Sequence, residues 1–468
     1  MFTVLVAICL AIGVCCLIWR PQYAIVAVIV MFPLEQLLQS YFLVFLSHQM
    51  LVNVLVGLTA ALGVAWRITR KERVGIGYMS NLTVPMIWSL YALTWLGIFW
   101  SPAGDQALHS MLPGLPVYVL ILVLLPLLVF DLESFQRVEF GIMLVGIAIA
   151  ALVLLNPAAS FYGSRLFISL GVYSGGERAN TLALADMGGA IAVVGMLFVP
   201  RRAGLLVLGV RVATIVLGLG LALASGSRGQ VLAMLVVGVL FFPVARQVKD
   251  TKQFLVMAIG LAFGYLVIQF TLDQFIGDVN RNRWDAGSLS SGVDGRLDMT
   301  LILLGAWIAS PVAWVIGLGT SAFSTLHSDS YVHNMASEVL GEHGLIGAAL
   351  LAVALLDTFR SSRYLIGRYR DDPALRSAAA TLAALCAYYL LVALKQGSYI
   401  SSPQVFMFWF IVAKIAATER ILDANEAEQE WDEADWDEYG EEAVPELLPA
   451  APEGTPVDAI VRSSASAS

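Results

Sequence analysis

Apolar runs close to the length of a bilayer crossing recur along this chain from end to end, and no other feature limits its folding so tightly. They lie near residues 2–19, 22–46, 50–66, 82–100, 115–130, 138–155, 181–199, 205–224, 229–245, 254–272, 334–356, 377–394 and 404–417. A helix needs about 20 apolar residues to cross the hydrocarbon, where every backbone N–H and C=O has to bond inside its own segment. The expected fold is therefore an all-α polytopic membrane helix bundle of about 12–14 spans over residues 1–418. With 59% hydrophobic and only 13% charged residues in 468, a soluble domain is excluded. The run at 22–46 is the weakest, because Pro33, Glu35 and Gln36 interrupt it and predict two short or re-entrant pieces. The run at 2–19 is expected to be a retained helix and not a cleaved signal: Arg20 follows the apolar stretch instead of preceding it, and no small-residue cleavage pattern appears.

Basic residues set the orientation, since Lys and Arg in short loops resist translocation. The basic loops Arg67 to Arg73, Arg201 and Arg202, Arg246 to Lys252, and Arg360 to Arg376 all fall on one side when the spans between them are counted. That side is expected to be cytoplasmic, which leaves segments 101–114, 156–180, 225–228, 273–333 and 395–403 facing outward. Cys9, Cys15, Cys16 and Cys386 all sit inside expected spans, so no outer-loop disulfide and no metal-ligand cysteine spacing is present. Beyond the last run, residues 419–468 hold 15 Asp or Glu against 2 Arg and are expected to form an acidic, disordered cytoplasmic tail. Its Trp431, Trp436 and Tyr439 could dock a basic partner, although a solvated tail without a specific role is the simpler reading.

The outward segments carry Arg165, Arg178, Arg228, Arg281, Arg283 and Arg296, against the usual exclusion of positive charge from a translocated surface. Guanidinium groups match phosphate oxygens bidentately, so an anionic headgroup is the natural partner. Arg281 and Arg283 have nearby acids to pair with, whereas Arg228 sits in the tight Ser225-Gly226-Ser227-Arg228-Gly229 turn at the bilayer boundary. Interfacial snorkelling is the bland alternative for Arg228. The outer segment from Asp273 to Val332, 60 residues, is too long for a connector, and its apolar stretch from Leu297 to Ala309 is expected to form a membrane-associated helix opened by Arg296.

The last feature is His333-Asn334, nine residues, then Gly344-Leu345-Ile346-Gly347. At about 100° per residue, Gly344 and Gly347 would lie about 20° and 40° from the His333 direction on one helix face. The glycines would then admit a neighbouring helix beneath a fixed imidazole. A lone histidine at a helix start can equally be a cap or an interfacial residue. Glu338 and Glu342 are unusual a few turns inside a span, and Glu342, about 180° from His333, is expected to brace packing. His327, Asp329 and His333 have no metal-ligand spacing, so neither a metal nor another cofactor is expected.

The spacing resembles the H-[NSQ]-x9-G-x-x-G signature of the O-antigen ligase and polymerase superfamily. Arg228 with Leu232 is similar to that family's R-x3-L element, Gly317-Leu318-Gly319 after Pro311 resembles the stretch before its histidine, and Arg165 with Asn180 resembles an upstream pair, at a departed spacing. The resemblance implies a membrane glycosyltransferase of the C superfamily in a bacterial inner membrane, taking part in lipopolysaccharide or other cell-envelope polysaccharide synthesis. It implies an undecaprenyl-diphosphate-linked glycan as donor, and a glycolipid, glycan or protein as acceptor, with no nucleic acid among the partners. His333 would be catalytic, Arg228, Arg296 and Arg165 would bind diphosphate, and Asn334, Gly344, Gly347 and Asn180 would support them, with an inverting, metal-independent reaction on the periplasmic face. Ligase, polymerase and protein O-oligosaccharyltransferase stay open. The competing class is a transporter or flippase for an anionic lipid-linked glycan, against which the gathering of charge at one surface and the absence of a fixed-period repeat both argue.

Overall fold

The computed structural model describes residues 20–48, 50–70, 80–162, 165–169, 180–202, 204–247, 286–327, 331–400 and 402–440, with isolated positions between 251 and 270. Two units divide after Thr418. The first is helical apart from a short antiparallel hairpin. Its helices are α1 (Ala24–Tyr41), α2 (Leu43–Ser47), α3 (Leu51–Thr69), α4 (Thr83–Gly97), α5 (Gly104–Met111), α6 (Leu115–Val119), α7 (Leu132–Leu154), α8 (Thr181–Leu197), α9 (Leu205–Ala224), α10 (Arg228–Arg246), α11 (Ala286–Ala309), α12 (Pro311–Ile316), α13 (Met335–Arg368) and α14 (Pro373–Gln396), before α15 (Gln404–Gly440) runs into the second unit. The hairpin pairs β1 (Ala159–Tyr162) with β2 (Arg165–Ile168) and is the one departure from an all-α bundle among the described residues.

Eight described helices are long and apolar enough to cross a membrane, which makes the protein a multi-pass helical bundle in architecture. That is fewer than the thirteen runs in the sequence for identifiable reasons. The run at 2–19 lies outside the described residues, and the one at 254–272 is described only at isolated positions. The runs at 82–100 and 181–199 form the shorter α4 and α8, of 15 and 17 residues, and the run at 404–417 opens α15, where Lys414, Glu419 and Arg420 cut the apolar stretch short. The run at 22–46 does not break at Pro33: α1 continues through it, held by the Gln39 amide donating to Glu35 one turn away (3.0 Å), and the break comes at the extended Phe42. The acidic segment differs from expectation as well, since the α15 backbone is helical to Gly440; residues 441–468 lie outside the described residues.

Helix ends are satisfied locally, as an apolar surround requires. Asp131 accepts from Ser134 N at the start of α7, Asp372 from Ala374 N and Leu375 N at the start of α14, and Asn180 from Leu182 N at the start of α8. Between helices, small residues bring backbones together. A Cβ on Gly188 of α8 would lie 2.6 Å from the Gly218 carbonyl oxygen of α9, and one on Gly218 the same distance from that of Gly188. On α8, Gly189 leaves room for the Tyr388 hydroxyl of α14.

The basic loops meet at one end. Arg67 donates to Leu128 O (2.8 Å), Arg201 pairs with Glu133, Arg246 donates to Phe198 O (3.0 Å), Arg376 to Val244 O (2.9 Å), and Gln247 to Arg370 O (2.6 Å). These contacts join the ends of α3, α7, α8, α10, α13 and α14, so the hairpin and the Ser225–Arg228 turn lie at the opposite end of the same helices. Single cysteines at the exposed positions Gln106 and Ser160, in a background without native cysteines, are expected to react with a membrane-impermeant maleimide in intact cells, and cysteines at the exposed Arg202 and Asp371 to react only after lysis. Labelling of Arg202→Cys in intact cells would invert the topology.

Candidate functional site

The end away from the basic loops is organised around a backbone contact that periodicity alone does not reveal. α13 starts at Met335 with Asn334 as its cap, accepting from Ser337 N (3.1 Å), so His333 precedes the helix instead of lying on it. His333 has φ +60, a left-handed conformation that costs a residue with a Cβ on the order of 1 kcal/mol. The second departure is Gly344, whose φ +63 and ψ −160 break α13. Together these remove the shared helix face on which His333, Gly344 and Gly347 were expected to align.

The glycines do a different job. A Cβ on Gly344 would collide with the backbone of Val315 and Gly317, and one on Gly317, itself at φ +77, with the backbone of Glu342 and His343. Across this approach Leu318 N donates to Gly341 O (2.9 Å) and Gly319 N to Glu342 O (3.0 Å), using carbonyls that the helix break frees. Glu342 then accepts from Ser321 N (2.8 Å) and Phe323 N (3.4 Å), so its carboxyl holds the loop that follows α12. Glu338 likewise takes Ser398 Oγ (2.7 Å) and Tyr399 N (3.2 Å), tying the loop after α14 to the same helix. At Gly347 the nearest neighbours of an added Cβ would be His343 and Val339 of α13 itself, a close approach within the turn at the break. Between these two braces His343 is fully buried, its Nε2 against the Tyr399 hydroxyl.

The cations converge above this frame. Arg228 is the first residue of α10, behind Ser227 and the φ +69 turn at Gly226. Arg165 sits on β2, where partial burial holds its guanidinium below the usual arginine range, and it lies within electrostatic reach of Arg228. Lys395, at the end of α14, is within reach of Arg296, Arg165 and Arg228, and of one carboxylate, Asp186. Its Nζ donates to Gln396 Oε1 (2.8 Å) and Gln230 Oε1 (3.4 Å), while Gln230 donates to Asp186 Oδ1 (2.9 Å). The Lys395 side chain lies directly over Gly229, where an added Cβ would oblige it to shift. All three arginines singled out from sequence lie within electrostatic reach of Lys395.

Arg296 does not open a helix as expected. α11 begins at Ala286, and the glycines and serines of its first turns hide that start from an apolar pattern. Asp294 and Asp298 are two residues from Arg296 and therefore project to other faces of α11. Arg178, Arg281 and Arg283 lie outside the described residues.

His333 reaches this region through its neighbour. Its ring packs on Tyr331 with centroids 4.2 Å apart, and Tyr331 lines a cavity shared with Asn180, Asp186 and Gln396. Sequence reasoning missed Lys395, Asp186 and Gln230. The argument that selects outward arginines applies equally to Lys395, which opens the outward segment 395–403, whereas Asp186 and Gln230 lie inside apolar runs and become relevant only when α8 and α10 are paired. Among the described residues, no group of three or more His, Cys, Asp or Glu is placed to hold a metal.

No protein-family model matches the chain, and no curated protein matches it either.

The glycine contact makes a direct prediction. Gly344→Ala and Gly317→Ala each combine a left-handed φ with a backbone collision, and are expected to lower stability by roughly 2–4 kcal/mol or prevent accumulation. Gly305→Ala, in the open middle of α11, is expected to be neutral or stabilising by up to about 1 kcal/mol. Unfolding temperatures in detergent compare the three, and a Gly344→Ala protein as stable as the parent would refute the role of the break.

Proposed function

We propose that the protein is a glycosyltransferase that moves a glycan from a polyprenyl-diphosphate carrier to an acceptor hydroxyl, in the manner of the O-antigen ligases and polymerases. The observation that carries this reading is the convergence of Arg165, Arg228, Arg296 and Lys395 at the bundle end remote from the basic loops. Like charges gathered this closely repel one another, and less water around them strengthens the repulsion. A cluster of four cations is a favourable place for a polyanion, and a diphosphate supplies one. Orientation by the positive-inside rule supports an extracytoplasmic site, periplasmic if the host is a bacterium with an inner membrane.

The chemistry asks little more. The acceptor oxygen attacks the anomeric carbon, the bond from that carbon to the diphosphate oxygen breaks, and the polyprenyl diphosphate departs with both bonding electrons. The cations stabilise the charge growing on the leaving diphosphate. His333, at the same end and in contact with Tyr331, takes the acceptor proton and releases it to solvent. Direct displacement inverts the anomeric configuration. A carrier for the same lipid would hold its substrate near the middle of the bilayer, whereas these residues are at helix ends.

His333→Ala, Arg228→Ala and Arg296→Ala are each expected to reduce transfer by about two powers of ten or more, and Lys395→Ala by at least about tenfold. Arg228→Lys is expected to recover only part, since lysine keeps the charge but loses the bidentate fork. The assay is transfer from purified polyprenyl-diphosphate glycan to candidate acceptors in a chelator-containing buffer, where full activity is expected. Undiminished transfer by His333→Ala protein would remove the base assignment. Growth of the donor chain would mark a polymerase, and modification of a lipid or a protein would mark a ligase or an oligosaccharyltransferase.

A further inference from the structure

A cavity of about 340 Å³ lies between α1, α8, α14 and the start of α15, at the size of the smaller ligand pockets. Phe32 forms part of its apolar wall, and Gln36, Asn180, Asp186, Tyr331 and Gln396 supply polar groups. Gln36 is the informative residue. Its amide nitrogen donates to the Asn180 carbonyl (3.0 Å), which can only accept, and this fixes which way the amide is turned. Its Oε1 is consequently an acceptor, and it is buried without a hydrogen-bond partner on a side chain only 8% exposed. A buried acceptor left so carries a desolvation cost that a donor brought into the cavity would recover. Asp186 lines the same space and is also an acceptor, using Oδ1 for Gln230. None of Arg165, Arg228, Arg296 and Lys395 lines the cavity.

We infer that this cavity binds a neutral, hydroxyl-rich sugar ring whose O–H groups donate to Gln36 Oε1 and to the Asp186 carboxylate. The inference deepens the transfer reading and rests on it only for the source of the sugar. Acceptor groups with no cation among the described lining residues suit polyol hydroxyls and disfavour an anion. Asp186 is the hinge between the two subsites: one side faces the cavity, and the other connects through Gln230 to Lys395 and the cationic cluster. A sugar held here lies next to a diphosphate held there, and Tyr331 brings the His333 ring to the cavity rim.

Ala183 also lines the cavity and provides the probe. In full-length protein without native cysteines, reconstituted in nanodiscs, the alkylation rate of an Ala183→Cys side chain by N-ethylmaleimide reports occupancy. Glucose, galactose, rhamnose and N-acetylglucosamine are tested separately, with inorganic pyrophosphate as the anionic control. At least one sugar is expected to slow alkylation about fivefold, the effect of a ligand at about four times its Kd, and pyrophosphate to leave it unchanged. Gln36→Met, close in volume but without the acceptor, and Asp186→Asn are expected to lose this protection while the rate without sugar stays the same. Protection by no sugar, protection by pyrophosphate alone, or undiminished protection in both variants would overturn the inference. In the transfer assay, a raised KM of the Gln36→Met protein for the lipid-linked donor assigns the sugar to the donor, and a raised KM for the acceptor assigns it to the acceptor. Sugar protection in a protein that transfers nothing would sink the transfer reading and leave the cavity assignment standing, and transfer without protection would do the reverse.

Discussion

The close backbone approach between Gly317 and Gly344 is the contact on which the arrangement of this end of the bundle depends. A continuous helix through Gly344 would keep the carbonyls of Gly341 and Glu342 for its own next turn. The break releases them to Leu318 N and Gly319 N, and the absence of a Cβ at both glycines lets the two strands of backbone come within hydrogen-bonding distance. In a medium without water, such a break persists only where protein groups take up the freed positions. Glu342 and Glu338 extend the same logic, each carboxyl accepting from a loop and so fixing two loops to one helix. The His333 loop and the end of α14 with Lys395 are held in place by this frame.

What the sequence carries plainly follows from one-dimensional patterns. Apolar run length shows the multi-pass helical character, and the asymmetric distribution of Lys and Arg anticipates the end at which Arg67, Arg201, Arg246 and Arg376 meet. Tight-turn chemistry in Ser225–Gly229 places Arg228 at the first residue of α10. Three features are not legible in that way. The His333 to Gly347 spacing suggests a helix face, but Asn334 is a better cap than an interior residue, and a glycine at φ +63 leaves no periodic trace. The start of α11 is hidden because Ala286 to Gly295 is poor in apolar residues and rich in glycine. Asp186 and Gln230 are single polar residues in apolar runs, and their meaning arises only from the pairing of α8, α10 and α14.

Electrostatics and hydrogen-bond satisfaction divide the remote end into two chemically different regions that touch at Asp186. On one side, guanidinium and ammonium groups from four separate segments gather within electrostatic reach of one another. On the other, acceptor oxygens line a cavity with an apolar wall. A lipid-linked glycosyl diphosphate has both halves, a charged group and a neutral polyol, joined by the bond that is to be broken. That correspondence ties the proposed transfer to the geometry more closely than the likeness of the histidine motif does.

The account's central claim is that the cationic cluster recognises the diphosphate of a polyprenyl carrier. Equilibrium binding of undecaprenyl diphosphate and of undecaprenol to the purified protein in nanodiscs separates headgroup recognition from lipid partitioning. The diphosphate is expected to bind at least about a hundredfold more tightly, a difference of about 2.7 kcal/mol that is in keeping with charge-assisted bidentate contacts, and to lose most of that advantage in Arg228→Ala protein. Equal affinity for the two lipids, or a preference unchanged by Arg228→Ala, would contradict it.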